Sequence, residues 1–207
     1  MKSKIVFFDF DGVIADSFDV GFEVRKMINP LTTQDIYRRL FDGNINDSVS
    51  DVEFQKIHNP DIDFFTEYEP RLMKSPIFSG MKGVIKAATE KNLLIIVSST
   101  TTDMIKKFLS MHGIDSCFEE IMGNDVHNSK IAKIEMALNK YKVNASDCLF
   151  VTDTLGDIKE AHHMMVSTVA VTWGYQSKAT LERGVPSYIV DTPQELMGIF
   201  ANPLLAN

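Results

Sequence analysis

The sequence contains few cysteines and no long apolar run, and each absence excludes a class of protein. Its two cysteines, Cys117 and Cys148, cannot form a zinc knuckle or a disulfide framework, so we interpret both as reduced thiols. The longest unbroken apolar run, Leu93–Val97, has five residues, whereas a membrane helix needs about 20. The apolar stretch near the N-terminus, Ile5–Phe8, is too short for a signal peptide. We therefore expect a cytoplasmic protein with no membrane partner.

Positive charge is also scarce in this chain. The 207 residues include 21 lysines and arginines against 28 aspartates and glutamates, which gives a formal net charge of −7. Binding to nucleic-acid phosphates needs a positively charged surface, so we expect no nucleic-acid partner. The apolar fraction of 44% and the charged fraction of 24% are ordinary for a globular chain, and they leave the oligomeric state open.

Six short apolar runs, rich in β-branched and aromatic residues, predict buried strands. They are Lys4–Phe8, Leu93–Val97, Phe118–Met122, Cys148–Val151, Thr168–Val171 and Tyr188–Val190. From residue 81 onward, segments with helical spacing alternate with these runs, which is typical of βαβ units. The predicted fold class is α/β, with a three-layer Rossmann-like core and a mainly parallel sheet.

Residues 15–78 interrupt this alternation. They contain no convincing strand but three stretches with helical patterns, separated by prolines. These stretches are Ser17–Ile28, Thr33–Phe41 and Asp61–Met73. We predict that residues 15–78 form a small α-helical cap inserted after strand 1, and that residues 1–14 and 79–207 form the core domain.

Carboxylates, a hydroxyl and an ammonium group follow the predicted strands or open the neighbouring helix. They are Asp9 and Asp11 after the first strand, Ser98 after the second, Lys130 before the fourth, and Asp153 and Asp157 after the fourth. Because ligands of open parallel sheets bind at the carboxyl ends of the strands, we expect these side chains to meet at one cleft. Carboxylates without histidine or cysteine partners favour a hard cation, most often Mg²⁺.

Such a set of side chains favours chemistry on a phosphoryl group. A carboxylate beside the cation can attack phosphorus, and a second can exchange protons with the leaving group and with water. A lysine and a hydroxyl would neutralise and orient the phosphoryl oxygens. Asp9 and Asp11 are two residues apart and so point to the same side of an extended chain. Asp153 and Asp157 are four residues apart and so face the same way on the first turn of a helix.

Two assignments have rivals in the sequence. The phosphate-binding hydroxyl is assigned to Ser98, with Ser99 or Thr100 from the same run as alternatives. The neutralising ammonium group is assigned to Lys130, with Lys133 as its rival.

Three further sets of residues are less informative. Trp173–Tyr175 follows the fifth strand and either edges the cleft or packs a loop. Phe64, Phe65 and Tyr68, in the predicted cap, are interpreted as the core of that cap. Four cap arginines are candidates for gripping a substrate, and no spacing singles one out: Arg25, Arg38, Arg39 and Arg71.

The segments Asp9–Ser17 and Val151–Asp157, with Ser98 and Lys130 between them, resemble the four motifs of the haloacid dehalogenase superfamily of phosphohydrolases. The resemblance covers nearly the whole chain, and the helical insertion resembles the C1-type cap of phosphoglycolate-phosphatase-like members. It implies Mg²⁺-dependent hydrolysis of a small-molecule phosphate monoester through an aspartyl-phosphate intermediate.

The resemblance also implies a role for each candidate residue. Asp9 is the expected nucleophile, and Asp11 is the expected general acid/base, whose backbone carbonyl also binds Mg²⁺. Ser98 is expected to hold the phosphoryl group and Lys130 to steady its charge. The implied metal set is Asp9, Asp11, Asp153 and Asp157, the last bound directly or through water.

Two other functions remain as alternatives. A phosphotransferase or phosphomutase of the β-phosphoglucomutase type would pass the same phosphoryl group to a sugar instead of to water. A phospho-accepting signalling module of the receiver type also places acids, a hydroxyl and a lysine at strand ends, but such modules are shorter and lack a cap. The expected partner is a small phosphorylated metabolite, which the sequence does not identify.

Overall fold

Six parallel strands form one sheet in the computed structural model of this chain, which describes residues 4–50 and 59–201. The strands are β1 (Lys4–Phe8), β2 (Asn92–Val97), β3 (Glu120–Met122), β4 (Cys148–Thr152), β5 (Ser167–Val171) and β6 (Tyr188–Val190). Their order in the sheet is β3-β2-β1-β4-β5-β6. All six predicted strands are present, and β3 begins later than predicted because Phe118 ends a short 3-10 turn, Asp115–Cys117. The predicted α/β fold class with a parallel sheet is confirmed.

The sheet is covered on both faces because the side chains of its strands alternate. In β1, Ile5 and Phe7 pack into a core on one face, whereas Val6 and Phe8 pack into a separate core on the other face. The strand order reverses at β1, which lies between β2 and β4. A crevice at the carboxyl ends of these three strands is therefore the expected ligand site.

Ten α-helices lie within the described residues. They are α1 (Phe18–Ile28), α2 (Gln34–Arg39), α3 (Ile45–Ser50), α4 (Phe64–Leu72), α5 (Met81–Ala88), α6 (Thr102–Met111), α7 (Lys130–Tyr141), α8 (Leu155–His163), α9 (Lys178–Glu182) and α10 (Pro193–Ala201). Hydroxyl caps begin several of them: the side chains of Thr33, Ser129 and Thr154 each accept a backbone N–H from three residues ahead. None of these described helices is long and apolar enough to cross a membrane.

Helices α1–α4 lie between β1 and β2, where the sequence predicts the cap. We call them the inserted helices. Parts of the predicted domain ranges lie outside the described residues: 1–3, 51–58 and 202–207.

The chain leaves the core and returns to it at two neighbouring points. Ala15 and Ile77 form an antiparallel β-bridge, and the amide of Phe78 donates to the carbonyl of Ile14 at 3.0 Å. The inserted helices are therefore joined to the core through two adjacent, hydrogen-bonded chain segments.

Candidate active site

The loop after β1 carries Asp9 and Asp11 and turns at Gly12. The amide of Asp9 donates to the carbonyl of Val151 on β4 at 2.9 Å, so the backbone pairing between β1 and β4 extends to Asp9. Gly12 has a φ of +75°, and a Cβ at this position would lie 1.9 Å from Oδ2 of Asp153. Only glycine fits this turn, which brings the ends of β1 and β4 together.

Lys130, the first residue of α7, joins the carboxylates of Asp9 and Asp157. Its Nζ lies 2.9 Å from Oδ2 of Asp9 and 2.7 Å from Oδ2 of Asp157, and all three side chains are buried. Burial opposes the charge of Lys130, yet the two carboxylates raise its pKa above the ordinary value. Lys130 thus lies where the neutralising ammonium group is predicted, whereas its rival Lys133 donates to the carbonyl of Ser98 at 2.6 Å.

The two carboxyls beside Lys130 have pKa values shifted in opposite directions. Burial raises the pKa of Asp9 well above its ordinary value, and Lys130 only partly offsets this. Burial acts on Asp157 as well, but Lys130 and the hydroxyl of Thr152, which donates at 2.7 Å, lower the pKa of Asp157. Asp9 is therefore the carboxyl that needs further positive charge to stay ionised.

Asp153 follows β4 and is fully buried. Its Oδ2 accepts from the amide of Tyr175 at 2.6 Å, and its Oδ1 has no hydrogen-bond partner among the described residues. Burial raises the pKa of Asp153 to about 8. The prediction that Asp153 and Asp157 share a helix turn is wrong, because α8 begins at Leu155, between them. The loop Trp173–Tyr175 edges the cleft through this contact with Asp153.

Three hydroxyl groups hold the carboxylate of Asp11. Ser17 donates to its Oδ1 at 2.8 Å, and Thr100 donates to its Oδ2 at 2.7 Å. The hydroxyl of Tyr68, on α4, also donates to Oδ1. The interpretation of Tyr68 as part of the cap's own core is therefore incomplete, because its ring is buried but its hydroxyl reaches the core domain. Apolar spacing marks a tyrosine ring as buried and gives no signal for the partner of its hydroxyl.

The hydroxyl run after β2 begins with a fully buried residue, Ser98, whose Oγ accepts from the amide of Thr100 at 3.1 Å. Ser98 and Ser99 both line a small cavity of about 40 Å³, together with Asp9. Thr100 instead donates to Asp11. The small cavity thus leaves Ser98 and Ser99 as the two candidates for holding a phosphoryl group.

Two further residues that line the small cavity, Asn44 and Glu160, carry no motif in the sequence. The side-chain amide of Asn44 donates to Glu160 at 3.1 Å, and burial raises the pKa of Glu160. They meet because the inserted segment lies against α8, where the amide of Gly156 donates to the carbonyl of Phe41 at 2.9 Å. A Cβ on Gly156 would lie 2.2 Å from the carbonyl oxygen of Gly43. Contacts between segments so distant in the chain leave no local signal.

A larger cavity of about 280 Å³ lies beside the small one. Five described residues line both of them: Asp11, Phe41, Ile45, Ser99 and Tyr175. Asp11 therefore lies at the boundary between a small compartment that contains Asp9 and Lys130 and a larger one whose lining includes six aromatic residues.

The predicted metal set is only partly assembled. No three acidic, histidine or cysteine side chains of residues 4–50 and 59–201 are grouped closely enough to chelate a metal ion by themselves. Asp157 is paired with Lys130, and Asp11 is held by hydroxyls. Asp153 fits a cation best, because its Oδ1 is buried without a hydrogen-bond donor from any described residue and a buried carboxylate needs a positive partner.

Known proteins share this fold and sequence pattern. Residues 6–171 match the family model of the haloacid dehalogenase-like hydrolases. The phosphoglycolate phosphatase of Aquifex aeolicus is 21% identical over 213 residues, covering 98% of this chain and 99% of its own, and the pyrophosphatase PpaX of Listeria monocytogenes is 25% identical over 215 residues, covering 96% of each. A solved haloacid dehalogenase-like family hydrolase from Streptococcus pneumoniae superposes with a TM-score of 0.77 at 19% identity, covering 96% of this chain and 99% of that one. The resemblance found in the sequence is confirmed, and the chain belongs to the haloacid dehalogenase-like hydrolases.

Proposed function

We propose that this hydrolase removes the phosphoryl group from small phosphate monoesters, in an Mg²⁺-dependent reaction that passes through a phosphorylated Asp9. The observation that carries the proposal is the placement of Asp9 and Asp11. Asp9 is paired with Lys130 in the small cavity, and Asp11 borders both cavities. The names of two relatives, a phosphoglycolate phosphatase and a pyrophosphatase, support the release of phosphate.

Asp9 supplies the nucleophile. Its Oδ1 accepts from the amide of Phe10 at 2.7 Å, and its Oδ2 faces Lys130. These contacts orient the carboxylate while one oxygen attacks phosphorus, the bond from phosphorus to the leaving oxygen breaks, and the phosphoryl group stays on Asp9. Lys130 neutralises part of the charge on the phosphoryl oxygens, and the hydroxyl of Ser98 or Ser99 orients them.

Asp11 moves the protons. Its position at the boundary of the two cavities lets it reach the oxygen that departs with the occupant of the larger cavity. In the first half of the reaction Asp11 gives a proton to that oxygen, and in the second it takes a proton from the water that attacks the phosphorylated Asp9. Hydrogen bonds from Ser17 and Thr100 fix its orientation throughout.

The residues present fit an Mg²⁺ ion. The carboxylates of Asp9 and Asp153 and the backbone carbonyl of Asp11 would hold it, with Asp157 bound through water. Mg²⁺ usually keeps several waters in proteins, which agrees with the small number of unpaired carboxylates here. When bound, the ion supplies the positive charge that ionised Asp9 and the phosphoryl oxygens need.

In the proposed enzyme, residues 15–78, which include the inserted helices, form a cap over the active site. Arg38 donates to the carbonyl of Tyr175 at 3.0 Å, and the side-chain amide of Gln176 donates to the carbonyl of Arg38 at 2.9 Å. A cap held in this way would exclude bulk water from the reaction. Because exclusion of water also suits transfer to a sugar, phosphotransfer remains a second candidate, and analysis of the products from sugar phosphates separates it from hydrolysis.

Turnover of p-nitrophenyl phosphate with Mg²⁺ tests the proposal. Asp9→Asn should lower kcat by at least about 10³-fold, and EDTA should reduce the wild-type rate to the same background. Asp103→Asn makes the same change on an exposed side chain of α6 and should keep the wild-type rate. A wild-type rate in Asp9→Asn, or in the presence of EDTA, would contradict the mechanism.

A further inference from the structure

The larger cavity receives the part of the substrate that departs with the leaving oxygen. It borders Asp11, the proposed proton donor to that oxygen, and it adjoins the small cavity where Asp9 and Lys130 lie. A phosphoryl group placed against Asp9 therefore directs the rest of the ester into the larger cavity.

This cavity has room for more than a two-carbon leaving group. Its volume is about 280 Å³, whereas one water molecule occupies about 30 Å³ in the liquid. The smallest pockets that bind drug-sized ligands have a volume of about 300 Å³. Glycolate, with its two carbons and three oxygens, would leave most of this space to water. A leaving group that fills the space is instead an alcohol that carries a ring.

Six of the fourteen described residues that line the larger cavity are aromatic, and they form two groups. One group of rings, on α4, is Phe64, Phe65 and Tyr68, and the other is Tyr37, Phe41 and Tyr175. Ring centroids lie 5.5 Å apart between Phe64 and Phe65, and 5.0 Å apart between Phe41 and Tyr175. In the part of the chain that the structure describes, no ring contact joins one group to the other. A flat ring bound in this cavity has aromatic side chains of both groups among its lining, which favours its binding.

Polar groups on the lining disfavour an anionic leaving group. The described lining has one cation, Arg25, against two acids, Asp11 and Asp63. Oδ1 of Asn124, another lining residue, is buried and accepts no hydrogen bond from any described residue. A buried acceptor of this kind gains from an N–H or O–H donor on the ligand and is repelled by a carboxylate.

We infer that the substrate is a phosphate monoester of an alcohol that carries a flat heteroaromatic ring with an N–H or O–H group at its edge. This inference rests on the proposed hydrolysis and narrows its substrate class. The two aromatic walls hold the ring, Asn124 accepts from its edge, and Asp11 protonates the oxygen that leaves.

Two matched pairs of substrates, assayed with Mg²⁺, test the inference. Uridine 5′-monophosphate and ribose 5-phosphate carry the phosphate on the same carbon of ribose, and only the first has a base. Benzyl phosphate and 2-phosphoglycolate are both phosphate esters of a primary alcohol. The alcohol carries a benzene ring in the first and a carboxylate in the second. We expect kcat/KM to be at least about tenfold higher for uridine 5′-monophosphate than for ribose 5-phosphate.

The outcomes separate this inference from the proposed function. Hydrolysis with no ring preference in either pair, or with a preference confined to benzyl phosphate, overturns the inference and leaves the proposed function intact. Turnover of none of the four esters above the Asp9→Asn blank overturns both.

Phe65→Leu gives a second measurement, because it removes one ring of the wall and keeps an apolar side chain. The ratio of kcat/KM within the uridine pair should fall by about tenfold. Phe200→Leu is the matched control, since Phe200 lies on α10, packs against Phe8 and is outside the cavity lining, and it should keep the wild-type ratio. An unchanged ratio in folded Phe65→Leu would overturn the role of the wall, and the wild-type comparison decides the inference if that variant does not fold.

Discussion

The hydroxyl of Tyr68 donates a hydrogen bond to the carboxylate of Asp11. Tyr68 lies on the inserted helix α4, whereas Asp11 follows β1, so this bond connects the insertion to the proposed acid/base. Burial, and then the charge of Asp11, raise the pKa of Tyr68 well above its ordinary value. The hydroxyl therefore stays protonated and remains a donor over the whole physiological pH range.

Tyr68→Phe should lower kcat for p-nitrophenyl phosphate by about tenfold. The physical reason is that Asp11 loses one of its three hydroxyl donors in the structure, the one that helix α4 carries. Tyr141→Phe is the matched control: its hydroxyl donates to Glu120, away from the site, at 2.9 Å, and its loss should leave kcat unchanged. A wild-type kcat in Tyr68→Phe would show that Asp11 works without this contact.

Asp153→Asn should stabilise the protein in the absence of Mg²⁺. Burial raises the pKa of Asp153 to about 8, so the folded state binds its proton more tightly than the unfolded chain does. Stability then falls as pH rises from about 4 to about 8. At about pH 7.5, removal of this charge should raise Tm by about 4 °C or more, which corresponds to roughly 1–2 kcal/mol in a chain of this size.

The same variant should lose its response to Mg²⁺. Wild-type protein should gain in Tm when Mg²⁺ replaces EDTA, because the ion binds the folded state, and Asp153→Asn should gain little. Asp115→Asn, at an exposed position, should behave as wild type under both conditions. The proposed metal site would be refuted by an Asp153→Asn protein that Mg²⁺ stabilises as much as wild type.

Lys133 should make the stability of the protein depend on pH above neutrality. Its buried amine donates to the carbonyl of Ser98. Burial, and then the like charge of Lys130, lower the pKa of Lys133 to about 8. In the unfolded chain a lysine keeps its proton up to about pH 10.4. Between these values the unfolded state holds a proton that the folded state lacks, so the free energy of unfolding rises with pH.

Urea unfolding of wild type and Lys133→Met at two pH values measures this effect. The free energy of unfolding of wild type minus that of the variant should increase by about 2 kcal/mol between about pH 7.5 and about pH 9.5. The subtraction removes other titrating groups, since both proteins contain them. The same difference at both pH values would mean that the pKa of Lys133 is not lowered in the folded state.

The sheet and the general position of the site could be predicted because their signals are local. Apolar runs mark the strands, and hydroxyl caps such as Ser129 and Thr154 mark helix starts. Parallel strands end at the same edge of a sheet, which is enough to bring Asp9 and Lys130 together from distant parts of the chain. The order of these residues carried the resemblance that implied a hydrolytic enzyme, and the family match confirms that implication.

The remainder of the site depends on contacts between distant segments, which leave no periodic signal. One wrong prediction has a local cause instead: the spacing of Asp153 and Asp157 suggested one helix turn, but the hydroxyl cap Thr154 starts the helix between them. Tyr68 has the pattern of any buried aromatic residue, and the docking of α4 decides the partner of its hydroxyl. Glu160 meets Asn44 only because the inserted segment lies on α8. Such pairings follow from tertiary packing, which single-sequence patterns do not encode.

The chain leaves the core at Ala15 and returns to it at Ile77, and the pairing of these two residues has a consequence for how this architecture evolves. An insertion whose two ends touch can be lengthened, shortened or exchanged as a cassette without straining the strand from which it emerges. The acids that follow β1 keep their places while the walls of the larger cavity change with the cassette. An exchanged cassette therefore alters part of the cavity wall and, through the position of Tyr68, the surroundings of Asp11 at the same time.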